Sequence, residues 1–337
     1  MSALLGCLAL IAVCAALHWV PTDQLPLHLS QSDVLHFWLK WLITLWATIA
    51  VNSTLNSWAE NKWLWKNDAQ QWIWKREIAV VTGGAQGIGA HVVKRLLSHG
   101  ITCAVLDVAP LSDCFTTDEL EHVHHYQCNL ASWDDIHRAA EAIRSNLGPP
   151  SILVNNAGIG NAYTILDIPV EHLRSLFDIN LLSHWGTVKE FLPAMLGQGK
   201  GHIVSVASLA SFVSLAGAVD YSCTKAALVS FHEGLAQEIK HRYKCPQIKT
   251  SIIHPGWTKS AITAHPAIRS GLESVGAKLL EADDVAKTIV DQIIAAKSGQ
   301  IILGPVTAPK IRALPAWLQE IIRDSQAHVV TGKGTTA

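Results

Sequence analysis

Two apolar runs open the chain, and a different pattern follows them. Residues 1–20 carry no charged side chain. At helical rise such a run reaches about 30 Å, the thickness of a bilayer core. Pro21 ends it. Residues 34–51 form a second apolar run with Lys40 as the one charge. Three placements are open to it: spanning the bilayer, entering and returning, or lying at the interface with Lys40 reaching for water. From Glu77 the pattern changes to short apolar runs separated by longer helical stretches. The short runs predict strands over 78–81, 101–106, 124–127, 151–154, 202–206, 249–253 and 300–303. Between them helices are expected over 90–98, 133–147, 170–195, from Tyr221 to about His241, and over 283–297. Strands that are apolar throughout are buried on both faces, as in a parallel sheet covered by helices. The expected fold class is therefore α/β, a doubly wound parallel sheet of Rossmann type, preceded by an N-terminal membrane-anchoring helical region.

This pattern divides the chain into an anchor of one or two helices (1–52), a Trp-rich linker (53–75), the doubly wound domain (76–306) and a C-terminal tail (307–337). Residues 21–33 hold Asp23 and Asp33 and no Lys or Arg, whereas Lys62, Lys66, Lys75 and Arg76 follow the second run. By the positive-inside rule the chain beyond residue 52 faces the cytosol. A secretory signal peptide is the rival for residues 1–20. The run lacks a preceding Lys or Arg and is followed by a second apolar segment, which favours a retained anchor. Nine of the thirteen tryptophans precede residue 76: Trp19, Trp38, Trp41, Trp46, Trp58, Trp63, Trp65, Trp72 and Trp74. Indole rings suit a membrane interface, so the linker either lies on headgroups or covers the back of the following domain. In the tail, Ala313 to Ser325 forms an amphipathic helix with Trp317, Leu318, Ile321 and Ile322 on one side. Packing on the domain and lying on the membrane are both open to it.

Composition narrows the function classes. The net charge of −1 gives no basic surface for nucleic acid. Seven cysteines are scattered without C-x-x-C pairs, as expected of reduced thiols facing the cytosol. The cluster His122-Val-His124-His125 has no acidic or Cys partner at ligand spacing, so it reads as a loop or strand edge and no metal is expected.

Candidate chemistry begins at Thr82-Gly83-Gly-Ala-Gln86-Gly87-Ile88-Gly89. This Gly-rich turn follows a strand and opens a helix, and Asp107 closes the next strand. That frame is the dinucleotide-binding unit, with glycines for close backbone approach to a pyrophosphate at a helix N-terminus. An acidic group at the position of Asp107 accepts from ribose hydroxyls and repels a 2′-phosphate, which favours NAD, with NADP not excluded. Further along, Tyr221 and Lys225 lie one turn apart on a helix face. An ammonium beside a phenol lowers the phenol's pKa, which suits a general acid/base. Ser208 lies upstream as a hydroxyl to hold the oxygen being protonated.

With these motifs in place the chain resembles the short-chain dehydrogenase/reductase family over about residues 77–306, in its single-domain branch and most like its membrane-anchored retinol and hydroxysteroid dehydrogenases. The resemblance implies Tyr221 as general acid/base. It implies Lys225 on the nicotinamide ribose, Ser208 on the substrate oxygen and Asn180 fixing a water in a proton relay. It also implies cofactor contacts by Gly83, Gln86, Gly87, Ile88, Gly89, Asp107, Asn129, Asn156, Ala157, Gly158, Pro255, Gly256, Thr258 and Ser260. Asn129 stands where relatives commonly have Asp, and Thr258 and Ser260 where they carry an apolar residue and Thr.

The loop over about 257–280 is the expected substrate lid. Its Trp257, Ile262, Ile268, Leu272, Val275 and Leu279 make an apolar lining. A lipophilic alcohol such as a retinoid, steroid or long-chain lipid is the expected substrate, interconverted with its ketone or aldehyde. The resemblance to the anchored members implies a location at the endoplasmic reticulum or lipid droplets, in contact with membrane lipid. The resemblance also implies a homodimer through the helices holding Asn180 and Tyr221. Two rivals stand beside this: an NADPH-dependent reductase of lipid ketones or aldehydes, and a membrane or lipid-droplet scaffold retaining cofactor binding without catalysis.

Overall fold

The computed structural model describes residues 31–64, 68–305 and 307–330. The chain divides into two compact units at the Lys66–Asn67 boundary. In the first, α1 (Gln31–Glu60) carries the second apolar run. It leaves Phe37, Trp38, Trp41, Leu42, Leu45, Trp46 and Ile49 exposed. Among the described residues no helix is long and apolar enough to cross a membrane. Lys40 interrupts the run, and Asn52-Ser-Thr54 ends it before the helix does. The hydroxyls of Thr44, Thr48 and Thr54 turn back onto carbonyls four residues earlier. The first run, 1–20, lies outside the described residues, as do Trp65 and the end of the tail.

The second unit is built on seven strands: β1 (Ile78–Thr82), β2 (Thr102–Asp107), β3 (Val123–Gln127), β4 (Ile152–Asn155), β5 (His202–Val206), β6 (Lys249–Pro255) and β7 (Gly299–Leu303). They form one sheet in the order β3-β2-β1-β4-β5-β6-β7, with every pairing parallel. The helices are α2 (Gly87–Ser98), α3 (Thr117–Leu120), α4 (Trp133–Asn146), α5 (Val170–Phe177), α6 (Ser183–Gln198), α7 (Val219–Gln237), α8 (Pro266–Ser274), α9 (Ala282–Ile294) and α10 (Ala316–Gln326).

Successive strand residues point to opposite faces, and the core follows that alternation. Ala79 and Val81 pack with Val93 and Leu96 of α2 and Ile289 and Ile293 of α9. Val80 packs with Ile143 of α4, Phe191 and Met195 of α6 and Leu235 of α7. The strand order reverses between β1 and β4, which opens a crevice at the carboxyl ends of the strands, where such sheets bind ligands.

Two departures from the expected elements, and the outcome for the tail, bear on that crevice. Helix α2 starts at Gly87 rather than Ala90, so its free N–H groups meet the Gly-rich turn. The stretch expected as one helix over 170–195 is interrupted by a π turn, Asp178–Leu182, which carries Asn180. The tail packs on the domain: Val329 and Val330 are buried with Ile268 and Leu272. A Cβ on Gly271 would come within 2.0 Å of the Val329 carbonyl oxygen, so α8 needs glycine there for the tail to dock. Ahead of β1, Trp72 enters the core and stacks on Trp74 at 5.1 Å. Lys200 holds this corner, its ammonium 5.2 Å from the Trp72 ring and 2.6 Å from the buried Glu77 carboxylate. These two indoles therefore cover the domain.

Candidate active site

At the switch point the Gly-rich turn and the loop after β4 are fastened together. The Thr82 hydroxyl accepts from the backbone N–H groups of Asn156 and Ala157, at 3.0 and 3.1 Å. In return the Asn156 amide donates to the carbonyls of Thr82 and Gly83. Two glycines have different reasons to be there. A Cβ on Gly89 would fall 2.0 Å from the Gly83 carbonyl oxygen, so Gly89 lets helix and turn close on each other. Gly87 has φ +58°, and a Cβ there would meet nothing within 4 Å. Open space before free helical N–H groups is the cradle a pyrophosphate requires, so these residues fit a dinucleotide.

Asp107 sits half-buried at the end of β2. One carboxylate oxygen accepts from the Ala85 N–H at 3.0 Å and the other from the Ala109 N–H at 3.1 Å. The carboxylate thus ties the Gly-rich turn to the next loop, and each oxygen keeps a lone pair for a further donor. Asn129 is exposed, and its side-chain oxygen accepts from the Ala131 N–H at 3.1 Å.

Ser208, Tyr221 and Lys225 converge on the same crevice from two elements. Ser208 follows β5 and caps a short 3-10 turn, its hydroxyl accepting from the Ala210 N–H at 3.1 Å. Tyr221 and Lys225 project from the first turns of α7. Burial pushes the Tyr221 hydroxyl up, and its hydrogen bond with Ser208 acts in the opposite direction. Lys225 is 3% exposed. Its ammonium donates to the Val206 carbonyl at 2.9 Å and lies 5.5 Å from the Tyr221 ring centroid. Burial lowers it to about 8. An ammonium alone was expected to lower the phenol; in this buried pair desolvation wins and moves both groups towards their neutral forms.

Asn180 is fully buried on the π turn. Its side chain accepts from the Ile159 N–H and donates to the Ile159 carbonyl, each at 2.8 Å. A Cβ on Gly158 would lie 3.5 Å from the Asn180 side-chain oxygen and 3.6 Å from the Lys225 ammonium, so both groups face one glycine. Both of the described Asn180 bonds to Ile159 clamp the loop after β4.

One cavity of about 660 Å³ joins these parts. Ser208, Tyr221 and Lys225 line it, with Gly83, Gln86, Gly87, Ile88, Asp107, Asn129, Asn156, Ala157, Gly158, Pro255, Gly256, Thr258 and Ser260. Gly89 and Asn180 are not in its wall; they act from behind it. The Thr258 hydroxyl is taken by the Gly256 carbonyl at 2.9 Å. Of the expected lid, Trp257, Ile262 and Ile268 line the cavity. Leu272 and Leu279 pack behind them, and Val275 is exposed, because α8 turns its other side to the docked tail.

Sequence reasoning missed two contributors. Ile311, Ile322, Gln326 and Val330 of the tail close one side of the cavity. The spacing of Ile322 and Gln326 was the available signal, since residues four apart share a helix face; Val330 follows the helix. His254, which follows the strand expected over 249–253, is fully buried beside Ser208.

The comparisons with known proteins converge on one group. The family profile described as short chain dehydrogenase matches residues 77–268. The chain is 39% identical over 203 residues to Dehydrogenase RED2 of Cochliobolus heterostrophus, covering 60% of this chain and 76% of that relative. It is 28% identical over 225 residues to human 17-beta-hydroxysteroid dehydrogenase 13, covering 66% of this chain and 73% of that one. Mouse epidermal retinol dehydrogenase 2 is 30% identical over 191 residues, 55% of this chain and 62% of its own. A crystal structure of a metagenomic short-chain oxidoreductase in complex with NADP shares the fold. Its TM-score is 0.54 and its identity 22%, over 68% of this chain and 97% of that one.

Proposed function

The chain belongs to the short-chain dehydrogenase/reductase family, and from that premise we propose that it is a membrane-associated dehydrogenase of a lipophilic alcohol. It interconverts that alcohol with its ketone or aldehyde. The observation that carries this is the cavity itself: the Gly-rich cradle, the Ser208–Tyr221–Lys225 set and an apolar wall open into one space. A nicotinamide dinucleotide, when bound, supplies the hydride acceptor or donor. Gly83, Gln86, Gly87, Ile88 and Asn156 to Gly158 would hold its phosphates and ribose. Pro255, Gly256, Thr258 and Ser260 would hold its nicotinamide end. The Tyr221 hydroxyl gives or takes the proton at the substrate oxygen, and Ser208 hydrogen-bonds that oxygen. Lys225 anchors the proton path and the ribose, with Asn180 fixing the loop opposite it.

NAD is the proposed cofactor. Supporting this, two backbone N–H groups hold the Asp107 carboxylate in the cavity wall, where a 2′-phosphate would meet its charge.

The lipophilic substrate is supported by Trp257, Ile262, Ile268, Ile311, Ile322 and Val330 in the wall. Relatives named for retinol and for a hydroxysteroid agree with it. Exposed indoles along α1 support residence at a membrane interface, at the endoplasmic reticulum or a lipid droplet. Dimerisation through α6 and α7 is part of the same proposal, supported by exposed Trp185 on α6. The full chain reconstituted on vesicles should oxidise retinoids, steroid alcohols or long-chain alcohols with NAD faster than short polar alcohols. Turnover of the polar set alone would refute the lipophilic substrate, and better turnover with NADP would refute the cofactor preference. Retained cellular function in Tyr221→Phe would favour a scaffold.

A further inference from the structure

His254 lies fully buried near the end of β6, immediately before Pro255-Gly256. Its Nδ1 lies 3.0 Å from the Ser208 carbonyl oxygen. A carbonyl only accepts, so Nδ1 carries the proton. Nε2 is then the acceptor, and the Gln300 side-chain nitrogen on β7 donates to it at 3.0 Å. The ring also packs on Phe212, at 4.6 Å, just beyond the 3-10 turn that Ser208 caps. Both ring nitrogens are thus engaged, and the ring is held on a third side. From the tail, the Arg312 guanidinium donates to the Ser211 carbonyl at 3.1 Å, taking the other end of the same turn.

We propose that His254 is a positioning residue for catalysis: its Nδ1–H fixes the Ser208 peptide, and through it the place of the Ser208 hydroxyl against Tyr221. Ser208 leaves β5 and must turn at once, so its hydroxyl position depends on where its own peptide is held. The sheet supplies that hold from β6. The imidazole does not move the reacting proton. Burial lowers it to about 4, so it stays a neutral donor with a fixed tautomer at working pH. Its other nitrogen, engaged by Gln300, has no free lone pair to relay a proton.

The inference rests on the reading of Ser208 as the group that holds the substrate oxygen. Asn, Gln and Leu at position 254 separate the possibilities. An Asn side-chain nitrogen lies as many bonds from the backbone as the His Nδ1, so His254→Asn keeps the donor to Ser208. His254→Gln places its nitrogen one bond further, towards Gln300. His254→Leu removes both. Each is compared with Ser208→Ala for kcat and KM with the panel alcohol that turns over fastest. NAD affinity by fluorescence titration and the unfolding temperature are measured alongside.

His254→Leu and His254→Gln should lose about ten- to hundred-fold in kcat, the scale of a misplaced catalytic group, with NAD affinity unchanged. His254→Asn should recover most of that loss. Equal kcat for the Asn and Gln variants overturns the proposal, as does a loss of NAD affinity that tracks the loss of kcat. Full kcat in His254→Leu beside a collapsed Ser208→Ala overturns it while leaving Ser208 in its role. Full kcat in Ser208→Ala instead removes the underlying reading of Ser208. Should the Leu variant not fold, the Asn and Gln pair decides alone.

Discussion

Replacing Lys225 by Met should make the protein more stable and inactive. The ammonium is 3% exposed, donates to the Val206 carbonyl, and is lowered by burial from 10.5 to about 8. At pH 7 the lysine is protonated in both the folded and the unfolded chain, so the folded state bears the whole desolvation cost. The gap between the two values corresponds to roughly 3 kcal/mol. Met keeps the apolar stem in place and removes the charge. It leaves the Val206 carbonyl without this donor, an offsetting loss of roughly 1–2 kcal/mol. The balance favours Lys225→Met by about 1–2 kcal/mol, or about 2–8 °C for a domain of this size. Above about pH 8 the folded protein releases the lysine proton, while the unfolded chain keeps it until near 10.5. The unfolded state then binds more protons, so the wild type gains stability with pH across that window. The advantage of the variant should therefore shrink from pH 8 and reverse towards pH 10.5. Thermal unfolding of both proteins without added dinucleotide, from pH 6.5 to 10, measures this. A lower unfolding temperature for Lys225→Met at pH 7, or an offset that does not change with pH, would refute the reasoning.

Tyr221→Phe removes the proton donor and should lower kcat by about 10²–10⁴-fold, with NAD affinity kept, by steady-state kinetics and fluorescence titration. Asp107→Ala loses the carboxylate that ties Ala85 to Ala109; it should narrow the NAD-over-NADP ratio of kcat/KM by about ten-fold and also lower the unfolding temperature, since two backbone donors lose their acceptor. Ile322→Glu places a charge in the tail's part of the cavity wall; kcat/KM for a lipophilic alcohol should fall by about 10–200-fold while a short-chain alcohol is little affected.

The central strands β1, β2 and β4 were legible because each is largely apolar, and burial on both faces leaves few other uses for such runs, whereas the edge strand β3, Val-His-His-Tyr-Gln, lacks that signal. The Gly-rich turn was legible because its glycines answer to local geometry: a positive φ at Gly87 and close packing at Gly89. What stayed hidden depends on residues far apart in the chain. Nothing near His254 announces that its ring meets the Ser208 peptide, and the periodicity of 313–325 does not say which surface covers it. The same limit explains Asp107. Its place after a strand marked it as a ribose acceptor, while its bonds to Ala85 and Ala109 also make it a structural tie between two loops.

The acid/base pair shows the limit most clearly, because there burial opposes the local rule in the protein without cofactor. A phenol and an ammonium one helical turn apart predict a lowered phenol. That rule leaves out burial: the Lys225 ammonium keeps its charge at pH 7 but needs a partner in a closed cavity, and burial disfavours the phenolate. Here the partner is a neutral carbonyl, Val206. Desolvation therefore raises Tyr221 and lowers Lys225 together, and the free protein holds no phenolate–ammonium pair. Ser208 opposes the rise at Tyr221, so whatever fixes the Ser208 hydroxyl also sets how readily the phenol gives up its proton. That places His254 and the Ser208 peptide upstream of the acid/base step. It also predicts that a variant disturbing the Ser208 turn shifts the pH dependence of kcat/KM upward, as the phenol loses its one opposing hydrogen bond.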